Sequence, residues 1–519
     1  MQFTQGLHRA VQQHPDAIAT VCGGRTQTFA ALQERVSRLA GGLKARGIRA
    51  GDRVCIYALN SDRYLEAYLA LAWIGAVVNP ANFRWSPAEV VYSMQDSECV
   101  GLFIDDQFAS HVETLMDGCM YLRHIVYLGE AAMMDGGVRH EELIAQSEPV
   151  ADAEVGGTEL FGIFYTGGTT GKPKGVMLSH ANLCSSALAL MAEGVLPEGS
   201  VGLHAAPMFH LADMMMTVIQ LLRGGKHVFL PMFKPDAVLD LVEQNRITDL
   251  LLVPAMLQVL VDYPATQSRD TSSVQRILYG ASPVSEALLD RAMAALPTAN
   301  PMQVYGMTEM SAVMTFLPAE QHRADARALN NKLRSGGRAA LHVQVRIVDE
   351  NDVEKPRGEV GEIIARGPNV MQGYLNRPDA TAEALRKGWM HTGDLGTMDA
   401  EGYVFIVDRL KDMIISGGEN IYSVEVENAI ARHPAVAASA VIGIPCAEMG
   451  ETVHAAVVLK AGATLTQEAL YAHCKQHIAG YKCPRSLELR EALPMSGAGK
   501  VLKTELRKPF WEGRERSVS

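Results

Sequence analysis

Residues 165–175 read Tyr-Thr-Gly-Gly-Thr-Thr-Gly-Lys-Pro-Lys-Gly, and apolar runs at residues 160–164 and 176–178 flank them. The apolar runs predict two buried strands, so the polar stretch is the turn between them. Its glycines expose backbone N–H groups, its threonines add hydroxyl donors and its lysines add positive charge, a combination that can bind phosphate. We call residues 166–174 the phosphate loop. A flexible surface hairpin is the alternative interpretation.

The phosphate loop does not match a Walker A motif. That motif requires a lysine followed by serine or threonine at the start of a helix, whereas Pro173 follows Lys172 here and lacks an N–H donor. The candidate phosphate-binding residues of the loop are Thr166, Gly167, Gly168, Thr169, Thr170, Gly171, Lys172 and Lys174.

Length and composition predict a multidomain globular protein. A chain of 519 residues exceeds what one hydrophobic core supports, and 48% hydrophobic with 20% charged residues is typical of soluble proteins. The net charge of -11, without a block of basic residues, disfavours a nucleic-acid partner. The eight cysteines form no C-x-x-C pair, which favours reduced thiols over disulfides or zinc. With no signal-like N-terminus or long apolar run, we expect a cytoplasmic protein without a transmembrane segment, and a homodimer remains open.

Helix and strand patterns alternate along the first part of the chain. Thr28 can cap a helix with an apolar face, and a strand at 53–58, a helix at 64–75 and a strand at 76–78 follow. This alternation is typical of layered α/β domains with parallel strands. Short β segments begin near residue 343, and a smaller α+β unit begins after residue 410. The predicted fold class is therefore α/β, with a large N-terminal domain at 1–410, containing layered α/β subdomains and a β-rich subdomain, and a small α+β C-terminal domain at 411–519.

Residues 303–309 place an aromatic ring, a hydroxyl and a carboxylate in one predicted turn. An adenine could stack on Tyr305, Thr308 could donate to a phosphate, and Glu309 could bind Mg²⁺, which prefers oxygen ligands shared with substrate phosphates. Core packing of Tyr305 and a solvated charge at Glu309 are the alternatives.

Three later stretches carry further candidates. Residues 389–394 are predicted to form a turn ending at Asp394, which could accept two hydrogen bonds from a sugar diol, and Arg409 follows after a strand. A turn-capping aspartate and a surface ion pair are the alternatives. Gly417 and Gly418 permit close approach of a thin ligand. Lys500, in a glycine-rich loop, could neutralise developing negative charge or simply be solvated.

In this order and at these spacings, the five stretches resemble the adenylate-forming enzymes, which include acyl- and aryl-CoA synthetases, firefly luciferase and the adenylation domains of peptide synthetases. The resemblance spans essentially the whole chain and is closest in texture to bacterial fatty-acyl-CoA synthetases. It implies a mobile C-terminal domain that swivels on a hinge at Lys411. It also implies ATP, Mg²⁺ and coenzyme A as cofactors and a small carboxylic acid as substrate.

The resemblance further assigns roles to residues. The phosphate loop would hold the β- and γ-phosphates of ATP, Thr166 and Glu309 would bind Mg²⁺, and Lys500 would engage the carboxylate and the α-phosphate. The implied nucleotide-binding residues outside the loop are Gly280, Ala281, Ser282, Tyr305, Gly306, Thr308, Asp394 and Arg409. The implied tunnel for the pantetheine arm of coenzyme A is lined by Gly417, Gly418 and Glu419. The family usually has serine where this chain has Gly167, and one lost neutral hydrogen bond is worth about 1 kcal/mol, so weaker phosphate binding is expected.

Residues 207–216 are the predicted start of the acid pocket. Amino-acid-activating relatives carry an aspartate where this chain has His210, which disfavours amino acids; His210 could guard the carboxylate end or be packed in the core. The residues that suggest an apolar, adaptable cavity are Met214, Met215, Met216, Val253, Ala255, Met256 and Met307. Core packing of these methionines is the alternative. We predict a medium- or long-chain fatty acid first and an aryl or branched acid second; the rival functions are an acyl-AMP ligase serving a carrier protein and a silent nucleotide-binding regulatory protein.

Overall fold

The computed structural model describes residues 1–130, 133, 136–166, 173–282, 284–330, 332–495 and 501–512. The chain forms two compact units. The first contains Met1–Thr166, Pro173–Val345 and Ala365–Met390. The second contains the described residues of 346–364 and 391–512. The unit boundaries fall inside three strands, and the expected domain boundary at Lys411 lies within the second unit.

Strands and helices alternate in the order that the sequence predicts. The strands are β1 Ile18–Cys22, β2 Arg25–Thr28, β3 Arg53–Tyr57, β4 Val77–Pro80, β5 Gly101–Ile104, β6 His124–Tyr127, β7 Val138–Arg139, β8 Leu160–Thr166, β9 Lys174–Ser179, β10 Val201–His204, β11 Lys226–Phe229, β12 Asp249–Leu252, β13 Arg276–Gly280, β14 Asn300–Tyr305, β15 Thr315–Leu317, β16 Arg338–Ala339, β17 Gln344–Val348, β18 Gly361–Arg366, β19 Gly373–Tyr374, β20 Leu385–Arg386, β21 Trp389–Met398, β22 Val404–Arg409, β23 Ile414–Ser416, β24 Glu419–Ile421, β25 Val436–Cys446, β26 Gly450–Leu459 and β27 Ser486–Leu489. The helices are α1 Gln5–Gln13, α2 Phe29–Ala45, α3 Asp62–Trp73, α4 Pro87–Asp96, α5 Val112–Gly118, α6 His140–Gln146, α7 His180–Ala192, α8 Leu211–Arg223, α9 Pro235–Asn245, α10 Pro254–Val261, α11 Glu286–Ala295, α12 Ala324–Asn330, α13 Pro378–Ala384, α14 Ser423–Ile430, α15 Gln467–Lys475 and α16 Lys503–Trp511.

Two large sheets organise the first unit. Counted over the described residues, one sheet has nine strands in the order β16-β15-β14-β13-β12-β10-β11-β1-β2, and its six central strands run parallel. The other has eight strands in the order β19-β9-β8-β4-β3-β5-β6-β7, with β9 and β19 antiparallel at one edge. Both sheets confirm the predicted α/β class with parallel strands.

The second unit carries smaller sheets. Strands β17, β18 and β21 follow one another in one sheet, with β22 paired to β21. Strands β24, β23, β26 and β25 form another, to which β27 adds a parallel strand. This α+β texture is the one predicted for the end of the chain.

Helix starts follow local capping chemistry. Thr28 caps α2 by accepting a hydrogen bond from the Ala31 N–H, as predicted. Helix α3 starts at Asp62, two residues before the predicted start, because the Ser61 side chain accepts from the Tyr64 N–H. Every residue of α3 except Arg63 is buried, so this helix is a central element of the core. In the described part of the chain, no helix combines the length and apolar character needed to cross a bilayer.

An ion pair with a fully buried carboxylate joins α2 to α3. Glu66 is fully buried and accepts hydrogen bonds from Arg35 at 2.6 and 3.1 Å, and His140 Nε2 lies 3.1 Å from its other side. Burial alone raises the pKa of Glu66, but His140 and Arg35 outweigh burial and lower that pKa to about 2. The folded state therefore stabilises the carboxylate form of Glu66.

We expect Glu66→Gln to destabilise the protein by about 3 kcal/mol at pH 7, because it removes the fully buried carboxylate that Arg35 and His140 share and leaves Arg35 only its pair with Glu141. Since the folded-state pKa of Glu66 is about 2 and the ordinary pKa of a glutamate is 4.5, the extra stability of the wild type is present above pH 4.5 and is lost as pH falls toward 2. Urea unfolding of both proteins at pH 7, 5, 4 and 3 measures whether their free energies of unfolding converge as pH falls. The control is Glu34→Gln, which removes the exposed Glu34–Arg38 pair and should cost less than about 1 kcal/mol. A difference in the free energy of unfolding between wild type and Glu66→Gln that is the same at all four pH values would contradict this explanation.

Candidate functional site

The phosphate loop connects two paired strands of the first unit. In the β8–β9 hairpin, Thr166 is the last residue of β8 and pairs with Lys174, the first residue of β9. The predicted residues Gly167, Gly168, Thr169, Thr170, Gly171 and Lys172 lie outside the described residues. The two flanking strands predicted from the apolar runs are therefore present and antiparallel.

The nucleotide candidates of the first unit lie at one edge of the nine-stranded sheet. Strands β13 and β14 are parallel neighbours, with Gly280 beside Val304, so their carboxyl ends meet at the same edge. At the ends of these two strands stand Gly280, Ala281, Ser282, Tyr305, Gly306 and Thr308. Ligands of open α/β sheets bind at the carboxyl ends of the strands. Ala281 has a φ angle of 67°, and such left-handed residues with a side chain cluster at functional sites.

Glu309 is buried and is hydrogen-bonded to Tyr374, whose ring lies near Lys174 of the phosphate loop. Its Oε1 accepts a hydrogen bond from the Tyr374 hydroxyl at 2.8 Å, and Lys174 Nζ lies 4.9 Å from the centre of the Tyr374 ring. Burial, followed by the charge of Glu309, raises the pKa of Tyr374, so its hydroxyl stays a donor. The structure therefore connects Lys174 to Glu309 through Tyr374, a residue that the sequence motifs do not indicate. The predicted short turn of residues 303–309 is instead the end of β14 followed by a 3₁₀ turn at Thr308–Met310.

The donor set at Glu309 fits a magnesium site. Mg²⁺ binds one or two carboxylates together with substrate phosphates and waters rather than a cage of protein ligands. Glu309 supplies one largely buried carboxylate, and Thr166 supplies a hydroxyl oxygen at the end of β8. The chemistry of these two residues fits the predicted magnesium site, and their role there stays a prediction.

His210 stands at the same sheet edge, after β10. It is the N-cap residue of α8, and its ring lies 5.6 Å from the Phe209 ring, which makes an edge contact with Phe83 at 5.2 Å. Strands β10, β12, β13 and β14 are successive parallel neighbours. The residues predicted to line the acid pocket follow β10 and β12. They thus lie next to the residues predicted to bind the nucleotide, which follow β13 and β14.

A buried asparagine holds the segment that leads to His210. The Asn60 Nδ2 donates to the carbonyls of His204 at 3.1 Å and Ala206 at 2.8 Å, and its Oδ1 accepts from the Met208 N–H at 2.8 Å. The Tyr68 hydroxyl donates to the Met208 carbonyl. Four hydrogen bonds therefore fix this segment. The sequence around Asn60 contains no motif from which this role could be predicted.

Three of the methionines predicted to form a cavity are buried in α8. Met214, Met215 and Met216 are each at most 1% exposed. Their burial is compatible with either a pocket wall or core packing, because both place apolar side chains away from water.

Asp394 and Arg409 come together in the second unit, although the predicted turn at residues 389–394 is wrong. Residues 389–398 form strand β21. Asp394 pairs in register with Arg409 on β22, and Arg409 Nε lies 3.5 Å from Asp394 Oδ1. Gly393 has a positive φ angle of 69° yet lies within β21, and the register shift of the β21–β22 ladder lies farther on, between Leu395 and Gly396. The two predicted sugar-binding residues are therefore cross-strand neighbours.

The predicted coenzyme A segment forms a tight hairpin. Gly417 and Gly418 connect β23 to β24 and have φ angles of 60° and 85°. A two-residue hairpin turn with both φ angles positive strongly favours glycine. Glu419 is exposed at the start of β24. Lys411 lies in the 3₁₀ turn Leu410–Asp412, and Lys500 lies outside the described residues.

A parallel sheet with a buried carboxylate after one of its strands, and a second sheet whose edge strands flank a glycine-rich segment, are typical of nucleotide-binding enzymes of the α/β class. Comparison with known proteins then gives the family. Residues 7–375 match the model described as AMP-binding enzyme, and residues 425–500 match the model of the AMP-binding enzyme C-terminal domain. The chain belongs to this family of adenylate-forming enzymes.

Relatives match over nearly the whole chain. A feruloyl-CoA synthase from Amycolatopsis sp is 40% identical over 507 residues, which are 97% of this chain and 98% of that protein. The fatty acid–[acyl-carrier-protein] ligase ScoC from Streptomyces coeruleorubidus is 34% identical, with 98% of this chain and 96% of that protein covered. The crystal structure of ATP bound MatB from Rhodopseudomonas palustris matches with a TM-score of 0.88, 32% identity, and coverage of 98% of this chain and 99% of that chain.

As a member of this family, the protein is an AMP-forming acid–thiol ligase whose reaction uses ATP, Mg²⁺ and coenzyme A. Its fold has the large N-terminal domain and the small C-terminal domain of adenylate-forming enzymes. The sequence prediction of the superfamily and of the α/β fold is confirmed.

Proposed function

We propose that this acyl-CoA synthetase activates an aromatic carboxylic acid of the arylpropenoic type and transfers its acyl group to coenzyme A. The observation that carries the proposal is the 40% identity to a feruloyl-CoA synthase over 97% of the chain. The rings of Phe83, Phe209 and His210 support it, because they offer faces and edges against which a planar aromatic acid can pack. The fatty-acid preference predicted from the methionines is not confirmed, and a fatty acid becomes the second candidate substrate.

In the first half-reaction, a carboxylate oxygen attacks the α-phosphorus of ATP, and the bond from that phosphorus to the bridging oxygen of pyrophosphate breaks. The products are acyl-AMP and pyrophosphate. Thr166 and Lys174 lie at the flanks of the loop that we assign to the β- and γ-phosphates, and Lys500 is assigned to the charge that grows on the carboxylate and α-phosphate. Mg²⁺, when bound at Glu309 and Thr166, supplies neutralisation of phosphate charge.

In the second half-reaction, the thiolate of coenzyme A attacks the acyl carbonyl carbon. The single bond between that carbon and the phosphate oxygen of AMP breaks. AMP leaves as a stable anion, which makes the adenylate a good acyl donor. We assign the hairpin at Gly417 and Gly418 to the thin pantetheine arm, because glycines leave room for close approach. Asp394 and Arg409 are assigned to the ribose.

We expect His210→Ala to lower the preference for aromatic over straight-chain acids by about tenfold, equivalent to about 1.4 kcal/mol, because the ring beside Phe209 is lost. The measurement is kcat/KM for ferulic acid divided by kcat/KM for decanoic acid. His14→Ala, which removes an exposed histidine of the same unit, is the matched control. An unaltered ratio would assign His210 to packing.

Competition among acids tests the proposed substrate class. The wild-type enzyme receives ATP, Mg²⁺ and coenzyme A with an equimolar mixture of ferulic, cinnamic, benzoic, hexanoic, decanoic and palmitic acids, and mass spectrometry quantifies each acyl-CoA. We expect arylpropenoyl-CoA thioesters to predominate. Predominance of decanoyl- or palmitoyl-CoA would overturn the aromatic assignment and restore the fatty-acid prediction.

An acyl-AMP ligase that serves a carrier protein is a second candidate function. The 34% identity to the carrier-protein ligase ScoC over 98% of the chain favours it. The same assay separates the two acceptors when coenzyme A is replaced by a phosphopantetheinylated carrier protein. Faster acyl transfer to the carrier than to coenzyme A would support the carrier function.

A further inference from the structure

Both flanks of the phosphate loop are attached to one helix of the first unit. The Tyr165 hydroxyl, one residue before Thr166, donates to Asp96 Oδ2 at 2.8 Å. On the other flank, the Tyr92 hydroxyl donates to the Pro173 carbonyl at 3.2 Å. Tyr92 and Asp96 are four residues apart on α4, so they lie on the same face of the helix.

An arginine closes this arrangement from a third element. Arg377 Nη2 donates to the Tyr92 hydroxyl at 2.9 Å and lies 3.7 Å from Asp96 Oδ1. The Asn376 side chain donates to the Asp96 carbonyl at 2.9 Å. Strand β19 pairs with β9 and leads directly to these two residues. We call Tyr92, Asp96, Tyr165 and Arg377 the α4 clamp.

The position of Asp96 is unfavourable unless the clamp compensates for it. It is the last residue of α4, where a negative charge opposes the helix macrodipole. Its side chain is only 13% exposed, so water offsets little of this cost. The Tyr165 hydroxyl and the Arg377 guanidinium supply the compensation.

The packing around Tyr165 is also specific. Burial, then the charge of Asp96, raises the pKa of Tyr165, so the hydroxyl stays protonated and remains a donor. Gly175 pairs with Tyr165 across the hairpin, and a Cβ at Gly175 would lie 2.9 Å from the tip carbon of the Tyr165 ring. The absence of that Cβ allows the ring to reach Asp96.

We propose that the α4 clamp holds the two flanks of the phosphate loop in the geometry that receives the β- and γ-phosphates of ATP, which makes Tyr92, Asp96 and Tyr165 positioning residues for nucleotide binding. The inference rests on the proposed role of the loop in ATP binding. Holding both ends of a loop in its bound geometry lowers the ordering cost of binding. AMP lacks the β- and γ-phosphates, so the clamp affects ATP binding and not AMP binding.

The test compares ATP and AMP affinity in full-length variants by isothermal titration calorimetry with Mg²⁺. Tyr165→Phe removes the donor to Asp96, and Asp96→Ala removes the acceptor and the charge. We expect each to raise Kd for ATP by about tenfold, the effect of a charge-assisted hydrogen bond, with Kd for AMP changed less than twofold. Asp96→Asn keeps an acceptor oxygen and should recover most of the ATP affinity.

Two comparisons separate positioning from general damage. Tyr57→Phe removes another buried hydroxyl of the same unit, bonded to His111 at 3.3 Å, and should leave both affinities unchanged. The double variant Tyr165→Phe with Asp96→Ala should be no weaker than the single variants, because the two groups act as one pair. In kinetics, KM for ATP should rise while KM for the acid stays constant.

Equal losses of ATP and AMP affinity, or an unchanged ratio of the two, would overturn the clamp. Absence of pyrophosphate release by the wild-type enzyme with every acid would instead overturn the proposed function. The two failures are therefore distinguishable.

Discussion

Replacement of Lys500 by alanine is expected to lower the rate of acyl-adenylate formation by about 100- to 1,000-fold, the usual effect of removing a group that stabilises transition-state charge. The motif of residues 494–500 and the family resemblance assign this lysine to the carboxylate and the α-phosphate. Transfer from supplied acyl-AMP to coenzyme A does not use that charge and should change less than about threefold. Pyrophosphate release measures the first half-reaction, and thioester formation from synthetic acyl-AMP measures the second.

Lys508→Ala is the matched control for this prediction. Lys508 is an exposed lysine of α16 in the same part of the chain. Its loss should leave both half-reactions unchanged, since a solvated lysine contributes little. Equal reduction of both half-reactions in Lys500→Ala would refute the proposed role.

The second large effect is expected at the proposed hinge. Lys411→Pro should lower the rate of thioester formation at least about tenfold, equivalent to about 1.4 kcal/mol of barrier, while adenylate formation is retained. Proline fixes its own φ angle and disfavours the helical conformation of the preceding residue, which is Leu410 in the 3₁₀ turn Leu410–Asp412. A hinge restricted in this way cannot adopt a second backbone state.

Contacts on both sides of Lys411 tie this segment to the rest of the second unit. Asp408 accepts hydrogen bonds from the N–H and, at 3.0 Å, from the hydroxyl of Ser423 at the start of α14. Asp412 forms an ion pair with Arg507 of α16 at 2.6 Å. Burial tends to raise the pKa of Asp412, but Lys503 and Arg507 outweigh burial and lower it, so Asp412 remains charged. The backbone change of the hinge is therefore expected within residues 409–411.

Lys411→Ala separates the backbone effect from the side-chain effect. This variant keeps φ and ψ free and should retain both half-reactions. Each half-reaction is measured alone, with pyrophosphate release for adenylation and synthetic acyl-AMP for thioester formation. Thioester formation that is unchanged in Lys411→Pro would contradict the hinge assignment.

Local patterns in the sequence predicted most of the fold because the fold is built from local rules. Capping at Thr28 and the apolar face of α2 are visible within one helix length, and parallel strands appear as short apolar runs between helices. The turn predicted at residues 389–394 failed because Gly393 and Asp394 are typical turn residues. Tertiary pairing of β21 with β22 overrides that preference.

The motifs located the site residues that carry their own chemistry but missed those that position them. Asp96 meets Tyr165 across 69 positions, Tyr374 meets Glu309 across 65, and Arg377 meets Tyr92 across 285. Nothing local to these residues distinguishes them from ordinary surface or core side chains, since only the sheet topology brings them together. The roles assigned to the site residues, a homodimer and a cytoplasmic location stay predictions.

The predicted preference for a fatty acid shows a different limit of sequence patterns. Met214 to Met216 are apolar and adaptable, but a helix that is buried against the core has the same composition as a helix that lines a cavity. Chain-wide similarity to a feruloyl-CoA synthase instead favours an aromatic acid. The reaction type follows from the family, whereas the choice of acid and the role of His210 in it stay proposals.

The most direct test of the central claim follows oxygen atoms through the reaction. The enzyme is given ATP, Mg²⁺, coenzyme A and the acid selected by the competition assay, with both carboxylate oxygens labelled as ¹⁸O, and the products are analysed by mass spectrometry. Attack of the carboxylate on the α-phosphorus predicts one ¹⁸O in AMP, one in the acyl-CoA carbonyl and none in pyrophosphate. Unlabelled AMP, or ¹⁸O in inorganic phosphate with ADP as the other product, would contradict the acyl-adenylate mechanism.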